Sequence, residues 1–320
     1  MTAVTVVIPL YNKAETIVAA VESVRRQSFQ DWSLIVVDDG SRDDGAARVE
    51  ALGDPRIRVI RQANAGVAAA RNAGLAAAET EWVALLDADD HVHPDHLARL
   101  MALAQRHPQA VLCGAGFNYV NEAGEVRPSA LSQAIESAPD GLCLLADFFM
   151  ETHLHHIPFN SSAVMLRRDV ALRVGGFQRG VVAGEDLLMW ARMACAGPVA
   201  QSAQRTSYYV EPPMSAASRV SVIRRPQQPD VVGAALRELV QAHPERASLR
   251  LFVADWHRMR GVLFMELNER GAAVRELLTA VRWHAFTRKD LICLAALLLP
   301  AGLRANLLAR RRAGKESTGT

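Results

Sequence analysis

The strongest constraint on this chain is an alternation that fills its first 115 residues. Short β-branched apolar runs occur at VTVVIPL (4–10), SLIVVDD (33–39), RIRVIRQ (56–62), WVALLDADD (82–90) and AVLCGAG (110–116). Stretches with helical spacing separate them. Ile17, Val21 and Val24 share one helical face, residues 65–79 are Ala-rich, and Leu97, Leu100, Met101 and Leu103 line another face. Asn12 followed by Glu15, and Pro94, read as helix starts. Strand–helix alternation predicts a mostly parallel sheet with helices on both sides. Such sheets bind ligands beyond the carboxyl ends of their strands. Asp38, Asp39, Asp87, Asp89 and Asp90 are all expected at that edge, so the topology gathers carboxylates that lie far apart in sequence.

The remainder is less regular. Residues 117–160 show no clear period. Residues 161–177 read as a strand and a short helix ending at Gly175–Gly176, and 184–197 as a helix. Residues 211–230 contain four prolines and read as a linker or ordered loop. Helical faces return with Leu249, Phe252, Val253 and Trp256, then with Val274, Leu277, Leu278 and Val281. The expected organisation is one domain over 1–210, with halves at 1–115 and 116–210, and a helical appendage over 231–320.

Several classes drop out. With 36 basic and 34 acidic residues, the formal charge of +2 gives no case for nucleic acid as a partner. Cys113, Cys143, Cys195 and Cys293 are widely spaced and read as reduced thiols. The N-terminus lacks a basic leader and enters a strand at once. The longest apolar run, 291–303, falls short of the ~20 residues a bilayer span needs. A cytoplasmic protein is expected. GxGxxG after the first strand and GxxxxGK[ST] are both absent, against a dinucleotide oxidoreductase or a P-loop NTPase.

The carboxylates of LLDADD pose the chemical question. Like charges at one strand end repel, unless a cation uses them. Oxygen ligands in this density suit a hard divalent ion, Mg²⁺ or Mn²⁺, of the kind that shares its coordination with phosphates. The alternative is a solvated turn with Asp90 capping a helix.

Six stretches, taken together and in order, resemble family 2 glycosyltransferases of the GT-A fold. They are VVIPLYNK (6–13), VVDDGSRDDG (36–45), NAGVAAARNAGL (64–75), LLDADD (85–90), SSAVMLRRDVALRVGGF (161–177) and GEDLLMWARM (184–193). The resemblance implies an α/β GT-A sheet with a C-terminal helical appendage, and a nucleotide diphosphate sugar donor, commonly UDP-linked. It implies that Pro9, Tyr11 and Asn12 line the base pocket, that Asp39 meets base or ribose, and that Arg71 lies near the nucleotide. Asp87 and Asp89 would form the DxD pair, Asp87 on the nucleotide and Asp89 on the metal. Asp186 would be the catalytic base, with Glu185 beside it. Single-sugar, inverting transfer to a saccharide or lipid-linked saccharide hydroxyl is expected, in cell-envelope or surface polysaccharide assembly. The QxxRW motif of processive synthases is absent.

Physical chemistry supports these roles separately. A diphosphate leaving group concentrates negative charge, which a carboxylate-held cation neutralises. An inverting transfer needs one base opposite the leaving group. Asp186 starts a helix, whose dipole is expected to keep it ionised and to lower its basicity. His91, His93 and His96 are expected at the mouth of the cleft, and His155 and His156 either on the acceptor side or, as their loop position favours, as surface histidines. The tail over 291–315 pairs the apolar run with Arg304, Arg310, Arg311, Arg312 and Lys315, and suits either terminal packing or peripheral contact with an anionic membrane. Two rival functions are a sugar nucleotidyltransferase, which would carry a Gly-rich basic loop where PLYNKAETI has neither Gly nor Arg, and a non-catalytic scaffold of the same fold.

Overall fold

The computed structural model describes residues 3–212 and 224–299. Ten strands run β1 Val4–Leu10, β2 Trp32–Asp38, β3 Ile57–Arg61, β4 Trp82–Leu85, β5 His91–Val92, β6 Leu112–Val120, β7 Val126–Pro128, β8 Leu142–Leu144, β9 Val164–Arg167 and β10 Val199–Val210. The helices are α1 Ile17–Arg25, α2 Gly45–Glu50, α3 Val67–Ala77, α4 His96–Arg106, α5 Gln133–Glu136, α6 Phe148–His155, α7 Arg168–Arg173, α8 Glu185–Ala196, α9 Val231–Ala242, α10 Leu249–Glu266, α11 Arg270–Trp283 and α12 Arg288–Leu298.

One sheet carries the order β3-β2-β1-β4-β9-β6-β10-β5, with β7 on β6 and β8 on β10. β1 is parallel to β2 and β4, β2 to β3, and β6 to β10. β9 is antiparallel to both β4 and β6. The mixed, mostly parallel α/β sheet agrees with the sequence reading. β10 was not foreseen, because its stretch QSAQRTSYYV is mostly polar and shows neither a continuous apolar run nor regular alternation.

Alternation in β1 explains its two faces. Val4, Val6, Ile8 and Leu10 enter the core formed with α1 and α4. Val7 turns the other way, toward α3. A Cβ on Gly74 would come within 2.3 Å of Val7 Cγ1, so the Ala-rich helix sits close to the sheet because this position is glycine. Two helices start later than expected. Asn12 has φ 51° and accepts from Arg42 N at 2.8 Å, so it belongs to a turn, and α1 begins at Ile17. α4 likewise begins at His96, beyond Pro94. The fourth strand stops at Leu85, where Asp90 N turns back onto Asp87 O.

The chain divides into two compact units. The first comprises the described parts of Met1–Phe148, Ile157–Gly180 and Glu185–Pro213, and holds the sheet. The second comprises Phe149–His156, Val181–Gly184 and the described part of Met214–Thr320. Its helices pack Phe264, Met265, Ala273, Leu277, Cys293 and Leu297 into a core of their own. Among the described residues, no helix is long and apolar enough to cross a membrane.

Candidate active site

β4 delivers the acidic loop, and three other segments meet it. The link is Arg71 on α3, only 3 % exposed. Its Nη2 donates to Asp87 Oδ1 at 2.8 Å and its Nη1 to Glu185 Oε1 at 3.1 Å. Burial alone would lower the pKa of this guanidinium, but the carboxylates of Asp87 and Glu185 hold it above its ordinary value. Arg71 therefore sits beneath the carboxylates as their fixed counter-ion, clamped between the acidic loop and the start of α8.

Its neighbour Asn72 fixes the same region from the backbone. Asn72 Nδ2 donates to Phe177 O and Asn72 Oδ1 accepts from Phe177 N, both at 2.8 Å. The turn passes so close that a Cβ on Gly176 (φ +66°) would lie 2.5 Å from Asn72 Oδ1. α3 thus holds the GGF turn with one residue and Glu185 with the one before it.

Burial pushes the Asp186 carboxyl above its usual range; Arg71 partly offsets this, and the charge on Asp87 adds to it. Burial also raises Glu185, with Asp186 the next cause. This differs from the dipole-based expectation for Asp186. Desolvation outweighs the helix terminus here and leaves a stronger base.

The third carboxylate, Asp90, is a structural member. It is 3 % exposed, Ser162 Oγ donates to its Oδ2 at 2.5 Å, and Val210 N to its Oδ1 at 3.0 Å. Ser162 Oγ in turn accepts from Asp87 N at 3.0 Å. Burial, then the charge on Asp87, pushes the Asp90 carboxyl up to about 7. The alternative of Asp90 as a solvated cap does not hold.

Asp89 is the outward carboxylate, and Lys13 Nζ lies 2.7 Å from its Oδ2. With side chains 39 % and 45 % exposed, this pair contributes little stability. It shows that the loop draws a positive charge to Asp89. The donor set of hard carboxylate oxygens fits a hard divalent cation.

At the end of β2, Asp38 Oδ1 accepts from Ser41 N at 2.9 Å. Asp39 is 3 % exposed and accepts from Gln62 Nε2, Ala65 N and Gly66 N at 2.7, 3.0 and 2.8 Å. Both brace loops, and Asp39 fixes the turn into α3. Tyr11 is 45 % exposed beside partly buried Pro9 and exposed Asn12.

Among the histidines, His96 diverges from expectation. His96 is buried, with Nδ1 2.7 Å from Thr206 Oγ1, and burial pushes it down to about 3; it is a core residue, because α4 packs that face inward. His91 stacks on Tyr208 at 4.7 Å. His93 is exposed. His155 and His156 are exposed residues of the second unit, at and after the end of α6. Lys13, Asn72 and Ser162 were not singled out from sequence. Each lies inside a motif quoted above, yet its role appears only when distant segments meet.

A second acidic group lies in the second unit, where Asp230, His257 and Glu276 bring ligand atoms within 4.8 Å of one another. Arg260 already supplies the cation. Its Nε is 2.9 Å from Glu276 Oε1 and 3.4 Å from Asp230 Oδ2. Trp256 Nε1 donates to Asp230 Oδ2 at 3.1 Å, and His257 Nδ1 is 2.6 Å from Glu276 Oε2.

Comparison with known proteins places this geometry. The succinoglycan biosynthesis protein ExoO of Rhizobium meliloti (strain 1021) is 47 % identical over 102 residues, 32 % of this chain and 29 % of ExoO, so the matched part spans under a third of that relative. The crystal structure of S. aureus TarS 1–349 aligns with a TM-score of 0.64 at 18 % identity, covering 99 % of this chain and 92 % of that one. TarS 1–349 in complex with UDP-GlcNAc aligns at 0.58 and 17 %, over 92 % and 90 %. The mannosyltransferase PcManGT from Pyrobaculum calidifontis, in complex with GDP-Man and Mn²⁺, aligns at 0.57 and 19 %, over 96 % and 84 %. At these identities the structures establish the GT-A fold. The family model for glycosyl transferase family 2 matches residues 5–171, just over half of the sequence, so the chain belongs to glycosyl transferase family 2.

Proposed function

We propose that this protein is an inverting, metal-dependent glycosyltransferase that moves one sugar from a nucleotide diphosphate donor, UDP-linked, to an acceptor hydroxyl. The observation that carries the reading is the meeting of Asp87, Glu185 and Asp186 around buried Arg71. Structures of fold relatives hold UDP-GlcNAc, and GDP-Man with Mn²⁺, and ExoO is a succinoglycan biosynthesis protein, which supports a hexosyl donor and a role in surface polysaccharide assembly.

Pro9, Tyr11 and Asn12 border the base pocket, with Asp39 and the turn it braces forming one wall. Asp87 takes the ribose side. Asp89 would hold the divalent ion, Mg²⁺ or Mn²⁺, in place of its present partner Lys13. When bound, that ion supplies charge neutralisation to the diphosphate leaving group. Asp186 accepts the proton of the attacking hydroxyl, and its raised pKa strengthens it as a base. Arg71 holds Asp87 and Glu185 in place beside it through its two ion pairs, without touching the substrate. Glu185 steers the acceptor side.

Titration calorimetry with UDP and GDP, with and without Mn²⁺, followed by nucleoside diphosphate release from a donor panel, tests the reading. Metal-dependent binding with turnover that Asp186→Asn abolishes is expected. Binding without any turnover favours the scaffold, and nucleoside triphosphate formation from pyrophosphate favours the nucleotidyltransferase.

Peripheral membrane contact at a cytoplasmic surface, suiting a lipid-linked acceptor, is the second part of the proposal. Leu291 and Ile292 of α12 are 59 % and 50 % exposed. Residues 300–315 lie outside the described residues, and their basic character comes from sequence. Flotation with anionic vesicles is expected to carry the full chain and to lose a 1–290 truncation; equal flotation of both removes the idea.

A further inference from the structure

The sheet order separates the two ends of the cleft. From β1, which ends at Leu10 just before Tyr11, the path runs through β4, β9 and β6 to β10. At ~4.8 Å per strand this is roughly 19 Å. The acidic loop crosses much of that distance, since it leaves β4 and its continuation β5 pairs with β10. Asp90 pins the crossing to Val210 N. Beyond the carboxylates, on the side away from the base pocket, the chain presents aromatic rings.

Tyr209 is 37 % exposed on β10, opposite Tyr119 on β6. The two rings meet edge to face, with centroids 6.1 Å apart and planes at 87°. Tyr119 is held from further sides, by the Arg127 guanidinium 4.2 Å over its ring and by Phe117 at 5.0 Å. Arg127 reaches Glu211 at 3.5 Å. Its two neighbours tie Tyr209 to the acidic loop, since Tyr208 pairs with His91 and Val210 N donates to Asp90 Oδ1 at 3.0 Å.

The chemistry that matches is a pyranose. Its axial C–H face is apolar and suits an aromatic ring, while its equatorial hydroxyls suit charged groups such as Arg127 and Glu211 at the rim. A nucleobase would also stack, but the base pocket lies at the other end of the sheet. We infer that Tyr209, supported by Tyr119 and flanked by Arg127 and Glu211, forms a platform for a pyranose ring beside the acidic loop. The inference rests on the glycosyl-transfer reading. The pyranose belongs either to the donor sugar or to the acceptor.

The test uses the full chain, with Tyr209→Ala and Tyr209→Phe. The probes are UDP and GDP with Mn²⁺ by calorimetry, donor hydrolysis of UDP-glucose, UDP-galactose, UDP-GlcNAc and GDP-mannose, and transfer to octyl glycosides of the common hexoses. Tyr209→Ala is expected to raise the KM for one pyranose ligand about tenfold while leaving the nucleotide Kd unchanged. Tyr209→Phe, which keeps the ring, is expected to stay within about threefold. A rise in donor KM during hydrolysis assigns the donor sugar; a rise confined to the octyl glycoside assigns the acceptor. If neither KM moves, or the nucleotide Kd shifts equally, the platform is overturned. Failure of the wild type to bind either nucleotide or to release product instead sinks the underlying glycosyl-transfer reading.

Discussion

Around Arg71, the first unit gathers Asp87, Glu185 and Asp186, with Asp89 and Asp90 close by on the same loop. Around Arg260, the second unit gathers Asp230 and Glu276, with His257 and Trp256 as further donors. Each cluster is built on one buried arginine. In the second, burial would raise Glu276, but His257 and Arg260 hold it below the usual carboxylate range, so its charge is matched. In the first, burial pushes Glu185 and Asp186 above the usual range, and Arg71 only partly offsets it. Burial that no cation fully offsets, more than acid count, separates the first cluster from the second.

The largest effect should come from the base. Asp186→Asn is expected to lower nucleoside diphosphate release by about 10²- to 10⁴-fold with nucleotide affinity unchanged. Glu276→Gln, its counterpart, should leave turnover intact. Steady-state kinetics beside calorimetry would expose any departure.

Removing the arginines tests the contrast directly. Arg71→Met and Arg260→Met each strand buried carboxylates, at about 3–5 kcal/mol. Urea unfolding should register both. Only the Arg71 variant should also weaken Mn²⁺-dependent nucleotide binding, and equal weakening by Arg260→Met would erase the distinction.

Asp90 offers a smaller, pH-dependent reading. Its folded pKa of about 7 lies above the unfolded value, so the native state binds the extra proton and stability falls as pH rises from about 4 to about 7. Asp90→Asn removes that slope. In metal-free buffer, the melting temperature of the variant should gain several degrees on the wild type across this window and then level off. The smallest effect belongs to Lys13→Ala, which should strengthen Mn²⁺ binding by about two- to fivefold by freeing Asp89.

Sequence showed the strand–helix alternation plainly, because β1, β2 and β4 are buried on both faces and read as apolar runs. Asp87 and Asp186 could be named for the same reason that their motifs are compact. The role of Arg71 could not, since its partners lie 16 and 114 residues away. The helix-dipole argument for Asp186 failed because burial, a tertiary quantity, reversed its sign. β10 was hidden by polar residues such as Gln201, Ser202 and Ser207, whose burial no local pattern announces.

The position of β9 has a consequence for synthesis. Residues 164–167 occupy the middle of the sheet, between β4 and β6, both of which precede them in the chain. Until that segment emerges, β4 and the β6–β7 hairpin have no shared ladder and each presents a raw edge. An amino-terminal fragment ending before it would be a template for self-association, and assembly of the cleft has to wait for a strand that arrives late.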